Sequence, residues 1–304
     1  MGSYISLPYG HRYGMSADQP LTEGIELLSH EVRAEILLAL AERMRERPRD
    51  ATLRFSELRD RVGHDDPGNF NYHLKRLLGT LVENADEGYR LSDVGHHFVA
   101  VLLSGRFDPG RRREFPETET SCPVCGAPST VTYEGGSLRT ACANDHTSIL
   151  SVGPELLDSH SVIDALNVAT RRTLWEAKST MDGVCPYCEG QTSGTVTRYP
   201  GEPVPVLYEW ACNKCGVFLQ NSAGGCVLFH PAVVGFCYQH GVDVFQYTWE
   251  VLVENVGAAT VCSEDPLRVQ VGVSLDGERL DLTLDDSATV VDVSNDGADS
   301  RPTE

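Results

Sequence analysis

The chain has 304 residues, enough for two or three domains with ordinary cores. Its net charge is −19, and no apolar run approaches the ~18 residues that a membrane helix needs. No secretory leader is expected either, so a cytoplasmic protein is expected. The charge is unevenly divided: residues 1–113 carry a net −1 and residues 114–304 a net −18. Of the 25 basic residues only Lys75, Lys178 and Lys214 are lysines. An acidic, lysine-poor composition is that of proteins from a salt-loaded cytoplasm.

Residues 1–19 are expected to form an irregular tail. Residues 22–28 predict a short helix with Ile25 and Leu28 inward. Glu31–Glu46 places Val32, Ile36, Leu37, Leu40 and Met44 on one helical face. Ser56 is the expected cap of the next helix, with Leu58 and Val62 packing inward and Gly63 ending it. Asp66 then offers an N-cap and Pro67 suits the first helical position, where its missing N–H costs nothing. Phe70, Leu74, Leu77, Leu78 and Leu81 make one apolar stripe at helical period. The other side carries Asn69, Asn71, Tyr72, Lys75 and Arg76, residue types that read base edges or hold phosphates.

Val82–Ala85 and residues 89–91 predict two strands around Asp86, Glu87 and Gly88, which suit a hairpin turn. Arg90 lies on this ribbon, within reach of a DNA backbone or minor groove. Ser92 opens a last helix with Val94, Phe98, Val101 and Leu102 on one face. The order over residues 20–105 is that of a winged helix-turn-helix, whose second helix enters the major groove. Candidate DNA contacts are Asn69, Asn71, Tyr72, His73, Lys75, Arg76 and Arg90, with double-stranded DNA as the expected partner.

The stretches Leu27-Leu28, Glu31 to Leu37, Phe55 to Leu58, Phe70-Asn71-Tyr72-His73-Leu74 and Glu87 to Leu91 carry a resemblance. They resemble the ArsR-like winged-helix transcriptional regulators of archaea, with the version at residues 70–74 most like those of halophiles. The resemblance covers a quarter to a third of the chain. It implies a symmetric dimer formed by residues 21–29 and 92–104. Metal-sensing members of that family carry cysteines on the third helix, whereas the first cysteine here is Cys122.

Residues 106–114, rich in Gly, Pro and Arg, read as a linker. The ten cysteines then dominate. Cys122 and Cys125 are followed by Cys142 and His146; Cys185 and Cys188 are followed by Cys212 and Cys215. Two cysteines separated by two residues put both thiolates on one tight turn, so that both face a tetrahedral Zn²⁺. The spacing predicts two structural zinc ions per chain, one Cys₃His and one Cys₄, in zinc ribbons at residues 115–153 and 181–225. Residues 154–180 predict a helical connector. A helix from Pro231 to His240, in a helix-plus-strand segment over 226–291, is expected to precede strands at residues 247–256, Leu267–Leu275 and 280–284. Residues 292–304 are expected to be disordered. Cys226, His230, Cys237 and His240 form a looser set that more often means buried thiols and ordinary helix histidines.

No phosphate loop, metalloprotease motif or open metal site appears, so an enzyme is not expected. An α+β DNA-binding transcriptional regulator, dimeric through its winged helix and shaped by a C-terminal zinc module, is the expected function. The alternative is a protein-binding factor that docks the transcription machinery.

Overall fold

A computed structural model describes residues 27, 29–106, 111–202 and 204–295. The predicted helix at 22–28 lies outside them apart from Leu27, as do the tail at 1–19 and residues 296–304. The chain divides into two compact units, the first ending at Phe107 and the second beginning at Asp108. Among the described residues no helix is long and apolar enough to cross a membrane.

The first unit has the order α1 (Glu31–Glu46), α2 (Phe55–Val62), α3 (Pro67–Leu77), β1 (Val82–Ala85), β2 (Gly88–Leu91) and α4 (Asp93–Leu103). Its core joins one stripe from every element: Ile36, Leu37 and Leu40 from α1, Leu58 from α2, Phe70, Leu74 and Leu77 from α3, then Leu81, Val82, Leu91 and Val99. The Asp66 carboxylate caps α3, accepting from the N–H groups of Gly68 at 2.8 Å and Asn69 at 3.1 Å. α3 stops earlier than its apolar stripe suggests. Leu78 turns to extended backbone and Gly79 takes φ +82°, so Leu81 reaches the core from the loop. The cap of α2 is Arg54 rather than Ser56; the Glu57 carboxylate turns back to accept the Arg54 N–H at 2.9 Å. β1 and β2 pair antiparallel with Asp86 and Glu87 at the turn.

The second unit is mixed. β3 (Arg112–Ser121), β4 (Pro128–Glu134), β5 (Ser137–Cys142) and β6 (Thr147–Ser151) form a four-stranded antiparallel meander. The expected linker at 106–114 therefore ends early: Arg112 and Arg113 are already paired with Glu134 and Tyr133 in the sheet. α5 (Pro154–Ser159) and α6 (Val162–Met181) follow. β7 (Thr192–Arg198), β8 (Val206–Cys212) and β9 (Phe218–Ser222) make a second antiparallel sheet. After α7 (Ala223–Val227) and α8 (Pro231–Gln239) come α9 (Thr248–Glu250) with a π-helical turn (Val251–Asn255), and a last sheet of β10 (Thr260–Glu264), β11 (Leu267–Leu275), β12 (Glu278–Leu284) and β13 (Val290–Asn295).

Two expectations fail here. Residues 247–256 alternate like a strand but are helical through most of their length, because tertiary contacts override propensity. The Asp243 carboxylate turns the chain by accepting from Phe245 N–H at 2.9 Å. Trp249 is then held at both ends, its backbone N–H on Asn167 Oδ1 at 2.8 Å and its indole N–H on Thr120 Oγ1 at 2.7 Å. Residues 292–295, expected to begin a disordered tail, instead belong to β13, which pairs along β12.

Helix α6 ties the second unit together. Ala165, Leu166 and Ala169 pack into one core with Val131, Tyr133, Leu138 and Trp249. Leu174, further along the same helix, belongs to the other core, with Trp210, Val227, Phe236, Val269 and Leu282.

Close approaches make separable stability predictions. A Cβ on Gly95 would lie 1.9 Å from the Leu81 carbonyl oxygen, which is backbone and cannot move aside. Gly95→Ala should cost about 2–3 kcal/mol by overpacking. Gly235, inside α8, has nothing within 4 Å of its would-be Cβ, and Gly235→Ala should be neutral or stabilising by up to about 1 kcal/mol. Urea melts of the two variants check this; equal effects would contradict it.

Candidate metal centres and an exposed helix face

Two groups of four donors converge, and they are those that the spacing singles out. Cys122, Cys125, Cys142 and His146 bring their ligand atoms within 4.8 Å of one another, as do Cys185, Cys188, Cys212 and Cys215. A tetrahedral ion with bonds of about 2.3 Å to sulfur separates its ligand atoms by about 3.7 Å. In the first cluster, Cys125 and Cys142 Sγ are 3.9 Å apart, and His146 Nδ1 lies 3.3 Å from Cys125 and 3.7 Å from Cys122 and Cys142. In the second, Cys185 and Cys215 are 3.7 Å apart, and Cys188 and Cys212 3.5 Å. These spacings fit a bound metal ion.

The local chain explains the convergence. The Cys122–Cys125 turn closes with Gly126 N–H on Cys122 O at 2.9 Å, and Gly126 takes φ +70°. The Cys212–Cys215 turn closes the same way through Gly216 at φ +72°. In the Cys185–Cys188 turn Glu189 takes this role with φ +56°, and Gly190 follows. Gly190 is required for another reason. A Cβ there would stand 2.8 Å from Lys214 Cβ and within 3.3 Å of the Cys188 and Cys212 sulfurs, filling the cradle. Backbone N–H groups of Val124 and Lys214 point at Cys122 and Cys212 Sγ, as is usual around thiolates.

Ionisation is uneven before any cation arrives. The Asn144 amide donates to Cys125 Sγ at 3.3 Å and leads the groups that hold this thiol down to about 6. The N–H groups of Cys215 and Lys214 hold Cys212 down to about 6. Burial pushes Cys122 up to about 11. Each cluster thus has a ready thiolate as a first anchor, and the remaining protons leave as the metal binds. Asn144 and Gly190 lie outside the cysteine pattern and escape a reading by spacing alone.

Cys226, His230, Cys237 and His240 do not converge with one another among the described residues. Burial raises the Cys226 and Cys237 thiols. His230 caps α8, accepting from Ala232 N–H at 3.3 Å. His240 lies between Asp276, at 3.2 Å, and Glu278, at 3.6 Å.

The candidate DNA contacts are partly brought together. Asn69, Tyr72, Lys75 and Arg76 are exposed along one side of α3, with Asn71 half-buried at its flank. His73 is not on that face: it is 3% exposed and turned toward α1. Arg90 is exposed but its guanidinium meets the Glu83 carboxylate at 2.6 Å. Arg54, the N-cap of α2, meets Glu87 at the turn of the same ribbon at 3.1 Å.

The structure is thus a mixed α+β chain with two four-donor clusters that could each hold a metal ion and a separate N-terminal unit. The chain belongs to the family described as "Domain of unknown function (DUF7351)", which matches residues 119–290, the stretch containing both clusters. A second such family, DUF7347, matches residues 22–102. No curated protein and no solved structure matches the chain.

Metal content tests the clusters. Elemental analysis should find two ions per chain, and Cys125→Ser and Cys188→Ser should each lose one and open the neighbouring strands to protease. Cys262→Ser should lose none, since Cys262 is exposed on β10 away from both. Chelation should melt the second unit, because ligation contributes on the order of 10 kcal/mol to folding in small metal sites. The first unit has no cysteine and should keep its own transition; one joint transition would contradict this.

Proposed function

We propose that this protein is a sequence-specific DNA-binding transcriptional regulator whose first unit is a winged helix-turn-helix. The observation that carries the reading is α3. One side is seated in the core through Phe70, Leu74 and Leu77; the other presents Asn69, Tyr72, Lys75 and Arg76 to solvent at helical spacing. That geometry suits a helix laid in the major groove, with Asn and Arg for base edges and Lys for phosphate. The β1–β2 ribbon then serves as the wing. The acidity of the second half, net −18 over residues 114–304, repels phosphate and leaves DNA reading to the first unit.

The regulator is proposed to be a homodimer. Helix α4 leaves Val94 64%, Val101 53%, Leu102 41% and Leu103 61% exposed, an apolar surface more suited to a partner than to water. The clusters are proposed to hold zinc, since closed sets of thiolate and imidazole donors suit Zn²⁺ and leave no open coordination position. They would hold the shape of the second unit while it meets an effector or a partner. The composition is read as that of a halophilic archaeal protein, acting in the cytoplasm.

Asn71→Ala and Arg76→Ala should each weaken operator binding by about 1–3 kcal/mol if each contacts a base, with fold retained. Binding sites mapped genome-wide supply the operator. Full affinity in the double variant would remove α3 from the reading role. Sedimentation in molar KCl should show a dimer that Val101→Asp converts to a monomer; a wild-type monomer on and off DNA would contradict the dimer.

A further inference from the structure

His73 sits on the helix proposed to read DNA yet points away from DNA. It is 3% exposed, and its Nδ1 accepts a hydrogen bond from Nε of Arg33 on α1 at 3.3 Å; Arg33 is itself 8% exposed. Its ring lies 3.9 Å from that of His30, the residue that caps α1. His30 Nδ1 accepts from Val32 N–H at 3.3 Å. Both imidazoles are therefore used as acceptors through Nδ1. A protonated imidazole has two donors and no acceptor, so proton uptake breaks the contact it enters and adds positive charge beside a buried guanidinium.

Among the described residues, the titratable groups that act on His73 are all basic. Arg33 and His30 come from α1, and His64 from the turn before α3; Tyr72 packs edge-on beside it at 5.2 Å. His64 adds a buried Nε2 without a hydrogen-bond partner. Among the described residues the ion pairs made by histidine are those of His240, in the second unit. Lys75 and Arg76 lie on the exposed side of α3.

We propose that His73, with His30 and Arg33, is a proton-sensitive positioning device: the neutral imidazole seats α3 on α1, and protonation unseats it and displaces the exposed face. This rests on the reading of α3 as the DNA-contacting helix. His73 is a positioning residue; Tyr72, in ring contact with it and 57% exposed, is the direct link to that face. Burial first, then the basic neighbours His30, Arg33 and His64, lowers the His73 pKa below its ordinary 6.5. The sign follows from a depressed folded value. The seated form carries no penalty above 6.5, and it is penalised increasingly as pH falls below that toward the folded pKa. The pair is buried, so salt screens it less than it screens surface charges.

The test uses the full metal-loaded chain at about pH 7.5 and about pH 5.5. DNA selected from genomic fragments should bind wild type more weakly at the lower pH, with a loss of at most about tenfold per pH unit, the limit for one coupled proton. His73→Gln keeps an acceptor for Arg33 but does not titrate, and its profile should be flat to within about twofold. Protection of the α3 amides from hydrogen exchange, taken relative to the intrinsic rate at each pH and needing no DNA, should fall at the lower pH in wild type and not in His73→Gln. The same decline in binding or the same loss of protection in both proteins would overturn the device. An NMR titration of wild type needs no variant to fold: His73 should titrate below 6.5, and a value at or above it would overturn the proposal. If no fragment binds at either pH, the DNA reading falls, and exchange and titration still decide whether His73 seats α3.

Discussion

Four thiolate or imidazole donors packed within 4.8 Å of one another are the constraint on which the second unit depends. Thiolates at 3.5–3.9 Å repel each other, and keeping them protonated would leave weak donors crowded in partly buried turns. A bound cation would remove both problems and make these turns fixed corners. β5 and β8 each end in one of those cysteines, so the ends of two separate sheets are set by the same chemistry. A pinned strand end also helps to fix the register of an antiparallel sheet.

Helix α6 is the second constraint, and it works by packing. One end is buried against the first sheet and Trp249, the other against the last two sheets. A single rigid rod shared by two cores makes them a cooperative unit. Trp249 strengthens the joint by spending both its hydrogen-bond donors on distant partners, Asn167 and Thr120. A buried Trp of this kind typically contributes about 3–5 kcal/mol.

The first unit holds to different rules. It has no cysteine and its order comes from one apolar cluster plus local caps. The arginines at its ribbon are already engaged: Arg90, on the ribbon, with Glu83, and Arg54, at the start of α2, with Glu87 at the ribbon's turn. Exposed pairs of this sort contribute little to stability, but a phosphate has to displace a carboxylate to reach either arginine. Among the described residues Lys75 and Arg76 on α3 form no ion pair with a carboxylate, which concentrates the proposed phosphate and base contacts on the helix itself.

Much of this was legible from residues alone. The helices of the first unit, the β1–β2 turn, the Asp66 cap and the eight cluster ligands all follow from local rules: period, capping chemistry and the reach of two cysteines on one turn. What only the tertiary structure decided depends on long-range neighbours. Residues 247–256 became helical because Asn167 and Thr120 stand where Trp249 can use them, and β13 ordered because β12 offered an open edge. His73 faced inward because Arg33, 40 positions earlier, supplied its hydrogen bond. Gly190 proved necessary because the sulfurs of Cys188 and Cys212 close over it. Period and spacing report which side of an element is apolar, and a side chain's polar partner far along the chain leaves no trace in either.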